Sequence, residues 1–355
     1  MIRKSNERLN ALEGKSLAQA LAFGPFAFQA AVSMRDLGLL QALDEAGPEG
    51  LSLEALSERT GLSRYGVSVL VDLGLNLGLT DKEGDRFTLG MVGHFVENDE
   101  MTRVNMDFTR DVCYQALAHL TESIREGRPA GLKTLGEWNT VYEGLTQLPQ
   151  PAQDSWFHFD HFYSQNVFDK LLPRVFDRPV QHLLDVGGNT GRFALKCLNH
   201  DPEVRVTLMD LPAQLERARE NIAAEGLVER VEFLPANLLD ESVAFPPGMD
   251  VIWMSQFLDC FSDSEIVSIL ERAARSMTPE SRLLIVELFP DRQAFDAATF
   301  SLDATSLYFT CIANGNSRMY HYEQFADLIR QAGLVVEEDI DHPAEGHTLL
   351  CCRIA

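Results

Sequence analysis

The chain has 355 residues, 45% of them hydrophobic and 23% charged, which is enough for two globular domains with separate cores. Its formal net charge of −23 argues against nucleic acid or an anionic membrane as a partner, because both bind clustered Lys and Arg. The six cysteines lack the spacing of a disulfide framework or a zinc site, so we expect a reducing, cytoplasmic location.

The first apolar segment, residues 16–34, carries no charge and is long enough to suggest a membrane span. Two glutamines and the Gly24-Pro25 pair lie within it, and alanine outnumbers the large aliphatic residues, so insertion into a membrane is disfavoured. The sequence instead predicts two short helices that break at Gly24-Pro25 and pack against the protein or a second subunit. No leader peptide is predicted.

Residues 36–89 have the pattern of a winged helix. Leu and Val recur at helical spacing in three segments, Ser52 and Ser63 stand at N-cap positions, and LTDKEGDRFTLG predicts a hairpin around Gly84. Winged helices often bind DNA, but the helix after Ser63 offers a single basic residue, and residues 1–100 contain nine Lys and Arg against fifteen Asp and Glu. A dimerisation module is therefore favoured over a DNA-binding one.

The next segment, residues 99–176, is predicted to be a helical connector that contributes to a substrate pocket. This prediction divides the chain into a winged-helix domain (1–98), the connector and a C-terminal domain (177–355). No internal repeat or low-complexity tract interrupts the connector.

The last connector helix, SWFHFDHFYSQNVF, is unusually aromatic. Phe159 and Tyr163 belong either to a core or to a roof over a flat substrate. His158 and His161 share a helix face, but no third or fourth ligand is evident in the sequence, so we predict no metal site.

The stretch VQHLLDVGGNTG, residues 180–191, predicts a buried strand that ends at Asp185 and turns into a helix through Gly187, Gly188 and Gly191. Glycines allow a tight turn and a close approach of a ligand to the main chain, and the helix offers its N-terminal amides. This arrangement predicts a nucleotide-cofactor loop, and a structural corner without a ligand is the alternative.

The residues around the loop distinguish between cofactors. The glycine spacing departs from the GxGxxG fingerprint of nicotinamide enzymes, and Asp185 would repel a pyrophosphate but attract an ammonium group. The following strand ends at Asp210, where an acid would accept hydrogen bonds from a ribose diol. S-adenosylmethionine carries both the ammonium group and the ribose.

From residue 180 onward, predicted strands and helices alternate. This alternation indicates a mostly parallel sheet covered on both faces, with ligands at the carboxyl ends of the strands. Those ends hold polar residues: Asp185, Asp210, Asn237, Ser255 and Glu287.

The motifs DVGGNTG, MDLP, DVIWMSQFLDCFSDSE and FADLIRQAGL together resemble the class I S-adenosylmethionine-dependent methyltransferases. The chain is most similar to their two-domain small-molecule O-methyltransferases, of the plant caffeic acid and bacterial polyketide type. The resemblance implies an α/β fold: a Rossmann-like seven-stranded methyltransferase domain, its last strand antiparallel, preceded by an all-α winged-helix domain. It also implies a homodimer in which the N-terminal domain contributes to the partner's substrate pocket.

The resemblance further implies roles for residues at the cofactor and the methyl acceptor. The family usually has Asp at the position of Asn237, and an amide can still accept a hydrogen bond from the adenine amino group. The implied cofactor residues are Asp185, Gly187, Gly188, Gly191, Asp210, Leu211, Asn237, Leu238 and Ser255, and the implied substrate residues are Phe159, Tyr163, Phe257 and Tyr308.

The catalytic positions depart from the family pattern. Alignment with the HDWSDE-like block places Asp259 where the family has its general-base His, Glu287 matches one family acid, and a second acid is missing near Ser317. Three hypotheses follow: Asp259 and Glu287 form a base and its partner for O-methylation, they orient an electron-rich ring for C-methylation, or the site is idle. His161 and His321 are further candidates for the missing base. We expect the acceptor to be a small aromatic or conjugated hydroxyl compound.

Overall fold

The computed structural model describes residues 8–343 and 346–355, apart from the side chains of residues 165 and 166. The chain divides after Thr109 into two compact units. The segment predicted as a connector therefore lies mostly within the second unit.

The first unit combines helices with a small antiparallel sheet of order β1-β3-β2. The hairpin predicted around Gly84 is formed by β2 and β3, and Ser52 and Ser63 cap their helices by accepting the amide N–H groups of Ala55 and Gly66. Short strand β1 adds a third strand to the hairpin, which the sequence did not predict. The elements are α1 (Ala11–Ala22), α2 (Gly24–Asp36), α3 (Leu39–Ala46), β1 (Leu51–Ser52), α4 (Leu53–Thr60), α5 (Arg64–Leu77), β2 (Thr80–Glu83), β3 (Arg86–Leu89), α6 (Met91–Asn98) and α7 (Glu100–Phe108).

The first two helices break at Phe23, next to the predicted Gly24-Pro25 break. Helix α2 buries Ala30, Val32 and Met34 in the core of the unit, whereas α1 buries no side chain. Among the described residues no single helix is long and apolar enough to cross a membrane. The α1–α2 pair, bent by 58°, meets that criterion by length and composition only.

The second unit alternates strands and helices around one seven-stranded sheet, as predicted. Its elements are α8 (Leu120–Glu126), α9 (Val141–Gly144), α10 (Ala152–Val175), β4 (His182–Val186), α11 (Arg192–His200), β5 (Arg205–Asp210), α12 (Pro212–Ala224), β6 (Val231–Pro235), β7 (Val251–Ser255), α13 (Asp263–Ser276), β8 (Arg282–Leu288), α14 (Asp296–Tyr308), α15 (Tyr322–Gln331), β9 (Leu334–Asp341) and β10 (His347–Ile354).

The strand order is β6-β5-β4-β7-β8-β10-β9, with β4 to β8 parallel and β10 antiparallel to both of its neighbours. This confirms the predicted fold and its antiparallel last strand. Both faces of the sheet are covered, one by α13 and α15 and the other by α10, α11 and α12. The strand order reverses between β4 and β7, so the ligand crevice is expected outside the carboxyl ends of these two strands.

Candidate functional site

The loop after β4 requires glycine at two positions for different reasons. Gly187 has a φ of +70°, and a Cβ there would lie 2.2 Å from the Phe257 ring. A Cβ on Gly188 would lie 2.6 Å from Oδ2 of Asp185. The amide of Gly187 donates to the carbonyl of Met209 at 2.9 Å, which ties the loop to the end of β5. The loop is therefore built for close approach to the main chain.

Asp185 and Asp210, at the ends of β4 and β5, are the acids nearest the loop. Asp210 accepts the amide N–H groups of Asn189 at 2.8 Å and Leu211 at 2.6 Å. Asp185 is buried, and its Oδ2 has no hydrogen-bond partner among the described residues. Burial and the charge of Asp210 raise the pKa of Asp185 to about 8, while burial raises the pKa of Asp210 to about 6. A buried carboxyl group without a partner needs a proton or a cationic ligand.

These donors and acceptors fit a ligand that carries an ammonium group and a vicinal diol, as S-adenosylmethionine does. The spare Oδ2 of Asp185 suits the ammonium group. Asp210 uses two of its roughly four lone-pair directions on backbone amides, which leaves the others for hydroxyl groups. The Ser255 hydroxyl, at the end of β7, is likewise buried without a partner in the described part of the chain.

The residues predicted to flank the adenine lie after β6. Asn237 is exposed, and its side-chain oxygen accepts the amide N–H of Leu239 at 3.1 Å, while the preceding Ala236 donates to the Asp210 carbonyl at 2.9 Å. Leu238 is buried in the hydrophobic core. The chain therefore brings Asn237 beside Asp210, and its contact with adenine stays a prediction.

Asp259 and Glu287 lie together at the ends of β7 and β8. Glu287 accepts the amide N–H groups of Phe257 at 3.2 Å and Leu258 at 2.9 Å through Oε1. These bonds hold the 3₁₀ turn Leu258–Cys260, which presents Asp259. The thiol of Cys260 lies 3.4 Å from Oδ1 of Asp259 and donates to it. Glu287 thus positions the turn that carries the candidate base.

Burial changes the proton affinity of both acids. It raises the pKa of Asp259 to about 6 and, together with the charge of Asp259, raises the pKa of Glu287 well above its usual range. A carboxylate with a pKa near neutral is able to accept a proton from a hydroxyl group. The role of Asp259 as a base stays a prediction.

The sequence did not assign Asp160 or Tyr142 to the site. Asp160, on α10, accepts from the side-chain amide of Asn189 at 3.1 Å, and burial raises its pKa to about 7, with Asp259 adding to the shift. The Tyr142 hydroxyl is buried without a well-aligned hydrogen bond to a described residue, and the nearby Cys260 adds to the effect of burial in raising its pKa. One signal for Asp160 was available: it is a lone acid within an aromatic helical stretch.

Aromatic side chains line this region from two helices. The indole N–H of Trp156, on α10, donates to the hydroxyl of Tyr308, on α14, at 2.8 Å. Phe159 and Tyr163 pack one turn apart on α10 with ring centroids 5.0 Å apart, and both are half-buried. Burial raises the pKa of the Tyr308 hydroxyl well above its usual value, and the charge of Asp160 adds to this effect. The contacts of Phe159, Tyr163 and Tyr308 with a substrate stay predictions.

The other two candidate bases, His161 and His321, lie in different parts of the unit. His161 lies 3.5 Å from the hydroxyl of Thr190 at the glycine loop, and burial lowers its pKa to about 4. His321 is exposed where α15 begins. Ser317, at the missing acid, donates to Asn314 at 3.0 Å, and Asn314 in turn donates to the Cys260 carbonyl at 2.5 Å. In the described residues no group of three or more His, Cys, Asp and Glu side chains could hold a metal ion.

Comparison with known proteins agrees with this geometry. A family model described as an O-methyltransferase domain matches residues 153–335, and one described as a Dimerisation2-like domain matches residues 15–87. The chain is 23% identical over 338 residues to L-tyrosine C(3)-methyltransferase of Streptomyces lavendulae, covering 94% of this chain and 90% of that protein. It is 28% identical over 311 residues to the mitomycin biosynthesis 6-O-methyltransferase of the same organism, covering 86% and 84%. Among solved structures it is similar to the S-adenosylmethionine-dependent methyltransferase SibL in its apo form, with 26% identity, a TM-score of 0.73 and coverage of 96% and 99%.

Proposed function

Since the chain belongs to the O-methyltransferase domain family, and is thereby an S-adenosylmethionine-dependent methyltransferase, we propose that its acceptor is a hydroxyl group of a small aromatic or conjugated metabolite. The single observation that carries this proposal is the placement of buried Asp259 two residues after Phe257, whose ring lies against Gly187 of the glycine loop. A proton acceptor therefore lies beside the position where the cofactor is proposed to bind.

S-adenosylmethionine supplies an electrophilic methyl group on a sulfonium centre. Asp185 would hold the ammonium group of the cofactor, and Asp210 would accept hydrogen bonds from its ribose hydroxyls. Asp259 accepts the proton of the acceptor hydroxyl, and Glu287 fixes the position of Asp259 through the amides of Phe257 and Leu258. Alignment of the two reactants in a dry site supplies much of the remaining rate.

C-methylation is the second candidate. It is favoured by the similarity to a protein named for C-methylation of L-tyrosine. In this case Asp259 and Glu287 would orient an electron-rich ring, and the ring carbon that receives the methyl group would then lose its proton. The third candidate is a protein that binds the cofactor but catalyses no methyl transfer. Only the identity of the methylated product separates these three.

Replacement of Asp259 tests the proposed base. With radiolabelled S-adenosylmethionine and a panel of phenols and catechols, we expect Asp259→Asn to lower the rate of methyl transfer about 100-fold or more, because general-base catalysis contributes about that factor. The matched control Asp240→Asn changes an exposed acid after β6 and should keep the wild-type rate. Nuclear magnetic resonance of the product distinguishes a methoxy from a ring methyl group.

Two results would contradict the proposed chemistry. A ring-methylated product would replace O-methylation by C-methylation. Failure to methylate any acceptor, by a protein that binds S-adenosylhomocysteine, would favour the idle site. Asp259→His is informative in both cases, because a gain of transfer to simple catechols would place the acceptor beside residue 259.

We also propose that the chain forms a homodimer through the first unit. Helix α1 buries none of its own side chains. Large apolar residues are exposed on both helices: Leu12 (74% exposed) and Leu21 (73%) on α1, and Phe26 (66%) on α2. Apolar side chains in such number usually mark an interface. The match to a Dimerisation2-like domain supports a dimer interface in this unit.

Charge placed on this surface should separate the subunits. We expect Leu21→Glu combined with Phe26→Glu to convert a dimer into a monomer in sedimentation equilibrium, because a buried unpaired carboxylate is costly. Leu239→Glu, at an exposed leucine of the second unit, is the control and should leave the mass unchanged. A monomeric wild type, or a dimer that survives both substitutions, would refute this interface.

A further inference from the structure

The turn that carries Asp259 depends on support from outside its own backbone. It is the 3₁₀ turn Leu258–Cys260, closed by two backbone hydrogen bonds of 3.1 Å. The residue two positions before the turn, Gln256, has a φ of +47°, a left-handed conformation that a residue with a Cβ keeps only where its surroundings impose it. Glu287 holds the amides at the start of the turn. The end of the turn needs a separate support.

Two side chains that are distant in sequence hold the main chain after Asp259. The side-chain amide of Asn314 donates to the Cys260 carbonyl at 2.5 Å. The hydroxyl of buried Tyr320 donates to the Phe261 carbonyl at 2.6 Å. These bonds span 54 and 59 residues of sequence, and both donors lie in the segment between α14 and α15. The end of the turn is therefore fixed by this segment.

Asn314 is itself held in one orientation. Its Oδ1 accepts the hydroxyl of Ser317 at 3.0 Å and the amide N–H of the same residue at 3.3 Å. This assigns the oxygen to its own loop and leaves the NH₂ group for the Cys260 carbonyl. Ser317 is buried, and the Asn314 amide donates to the Phe309 carbonyl at 3.1 Å. The Asn314 side chain therefore has a donor group directed at the turn.

The neutral character of these side chains suits a carboxylate base. An imidazole becomes cationic when it accepts a proton, so an acid beside it is favourable. A carboxylate becomes neutral when it accepts a proton, and a second acid would only repel its charged form. Ser317 stands where the resemblance implies a second acid. Asn314 and Ser317 support the main chain of the turn without adding charge near Asp259.

We propose that Asn314 is a positioning residue for Asp259, and that Ser317, in place of the missing acid, acts through Asn314. Together they fix the end of the turn, while Glu287 fixes its start. The carboxylate of Asp259 is thereby held at one place relative to the glycine loop. This inference rests on the proposed function, because the residue that is positioned is the proposed base. Precise placement matters, since a displacement of about 1 Å can cost a large part of a rate.

Hydrogen exchange tests this support without any acceptor. In the full-length protein, the backbone amides of residues 257–261 should exchange about tenfold faster in Asn314→Ala, because loss of the hydrogen bond makes local opening of the turn more frequent. Ser317→Ala should give a smaller increase, and Ser317→Thr, which keeps the hydroxyl group, should exchange like the wild type. The matched control Asn316→Ala removes an exposed amide side chain of the same loop and should leave the exchange unchanged.

A double-mutant cycle connects the support to catalysis. With a panel of phenols and catechols, Asn314→Ala should lower kcat about tenfold while the affinity for S-adenosylhomocysteine stays within about twofold, because the glycine loop keeps its contacts. In the Asp259→Asn background the same substitution should have almost no further effect, because the base that it positions is absent. A general loss of stability would instead lower kcat equally in both backgrounds.

Two outcomes would overturn the inference. Unchanged exchange of residues 257–261 in a folded Asn314→Ala protein would show that this hydrogen bond does not hold the turn. An equal loss of kcat in both backgrounds would show that Asn314 does not act through Asp259. If Asn314→Ala does not fold, Ser317→Ala takes its place in both measurements.

Failure of the proposed function gives a different result. In that case Asp259→Asn keeps the wild-type rate, or the protein methylates no acceptor. The exchange measurement still decides whether Asn314 and Ser317 hold the turn.

Discussion

Asp210→Ala should lose at least about a hundredfold in affinity for S-adenosylhomocysteine, measured by calorimetric titration. The carboxylate is proposed to accept both ribose hydroxyls, and a hydrogen bond to a charged group contributes about 1.5–3 kcal/mol, so two of them correspond to a hundredfold or more. The substitution also removes the acceptor for the amides of Asn189 and Leu211, so the loop loses the bonds that shape it.

Two controls separate loss of the ligand contact from loss of the fold. Asp240→Ala removes an exposed acid of the same unit and should bind like the wild type. Asp210→Asn keeps the size of the side chain and one acceptor oxygen, so its affinity should lie between the wild type and Asp210→Ala. Undiminished binding by a folded Asp210→Ala protein would show that the ribose lies elsewhere, and NADH is the ligand to titrate next.

Gly187→Ala should destabilise the second unit by about 3 kcal/mol or more and prevent binding of S-adenosylhomocysteine. A residue with a Cβ at a φ of +70° costs about 1–2 kcal/mol, and the new Cβ would overlap the Phe257 ring at 2.2 Å, which adds about 1–3 kcal/mol. The Phe257 ring has little room to move away, because it packs against the Phe261 ring with the two centroids 4.9 Å apart. The midpoint temperature of thermal unfolding should fall by roughly 6–12 °C.

A second glycine provides a matched control. Gly226 has nearly the same φ, +72°, but a Cβ there meets nothing within 4 Å. Gly226→Ala should therefore show only the backbone cost of about 1–2 kcal/mol and bind the ligand normally. Phe257→Ala in the Gly187→Ala background should restore part of the lost stability. If Gly187→Ala and Gly226→Ala lower the stability equally, the contact between the new Cβ at position 187 and the Phe257 ring does not contribute to the loss.

Much of the fold was predictable because it is encoded by local patterns. The branched apolar runs predicted the central strands of the large sheet, since their residues are buried on both faces, as in β8, which is buried throughout. Ser52 and Ser63 predicted helix starts because a cap needs only neighbouring residues. Gly84 predicted the hairpin for the same reason. These signals span a few residues each, so the sequence alone carries them.

The extent of the first helices was less predictable. The apolar segment predicted a break at Gly24-Pro25, and the helices do break next to it. Their burial depended on the rest of the unit: α2 packs into the core, whereas α1 exposes its apolar side chains. The boundary between the units, after Thr109, likewise depends on which helices pack together.

The sequence by itself determined the order of strands and helices, the glycine loop, and the acids that end β4, β5 and β8. Only the tertiary structure decided which of these groups meet. Asp160 lies at the glycine loop because the side-chain amide of Asn189 donates to it across 29 residues of sequence, and Glu287 supports Asp259 because β7 and β8 are neighbours in the sheet. The physical reason is the sequence separation of the contacting residues. A turn or a cap forms between residues that are close in sequence, whereas a binding site joins side chains that only tertiary packing brings together. Burial among those side chains then shifts their pKa values.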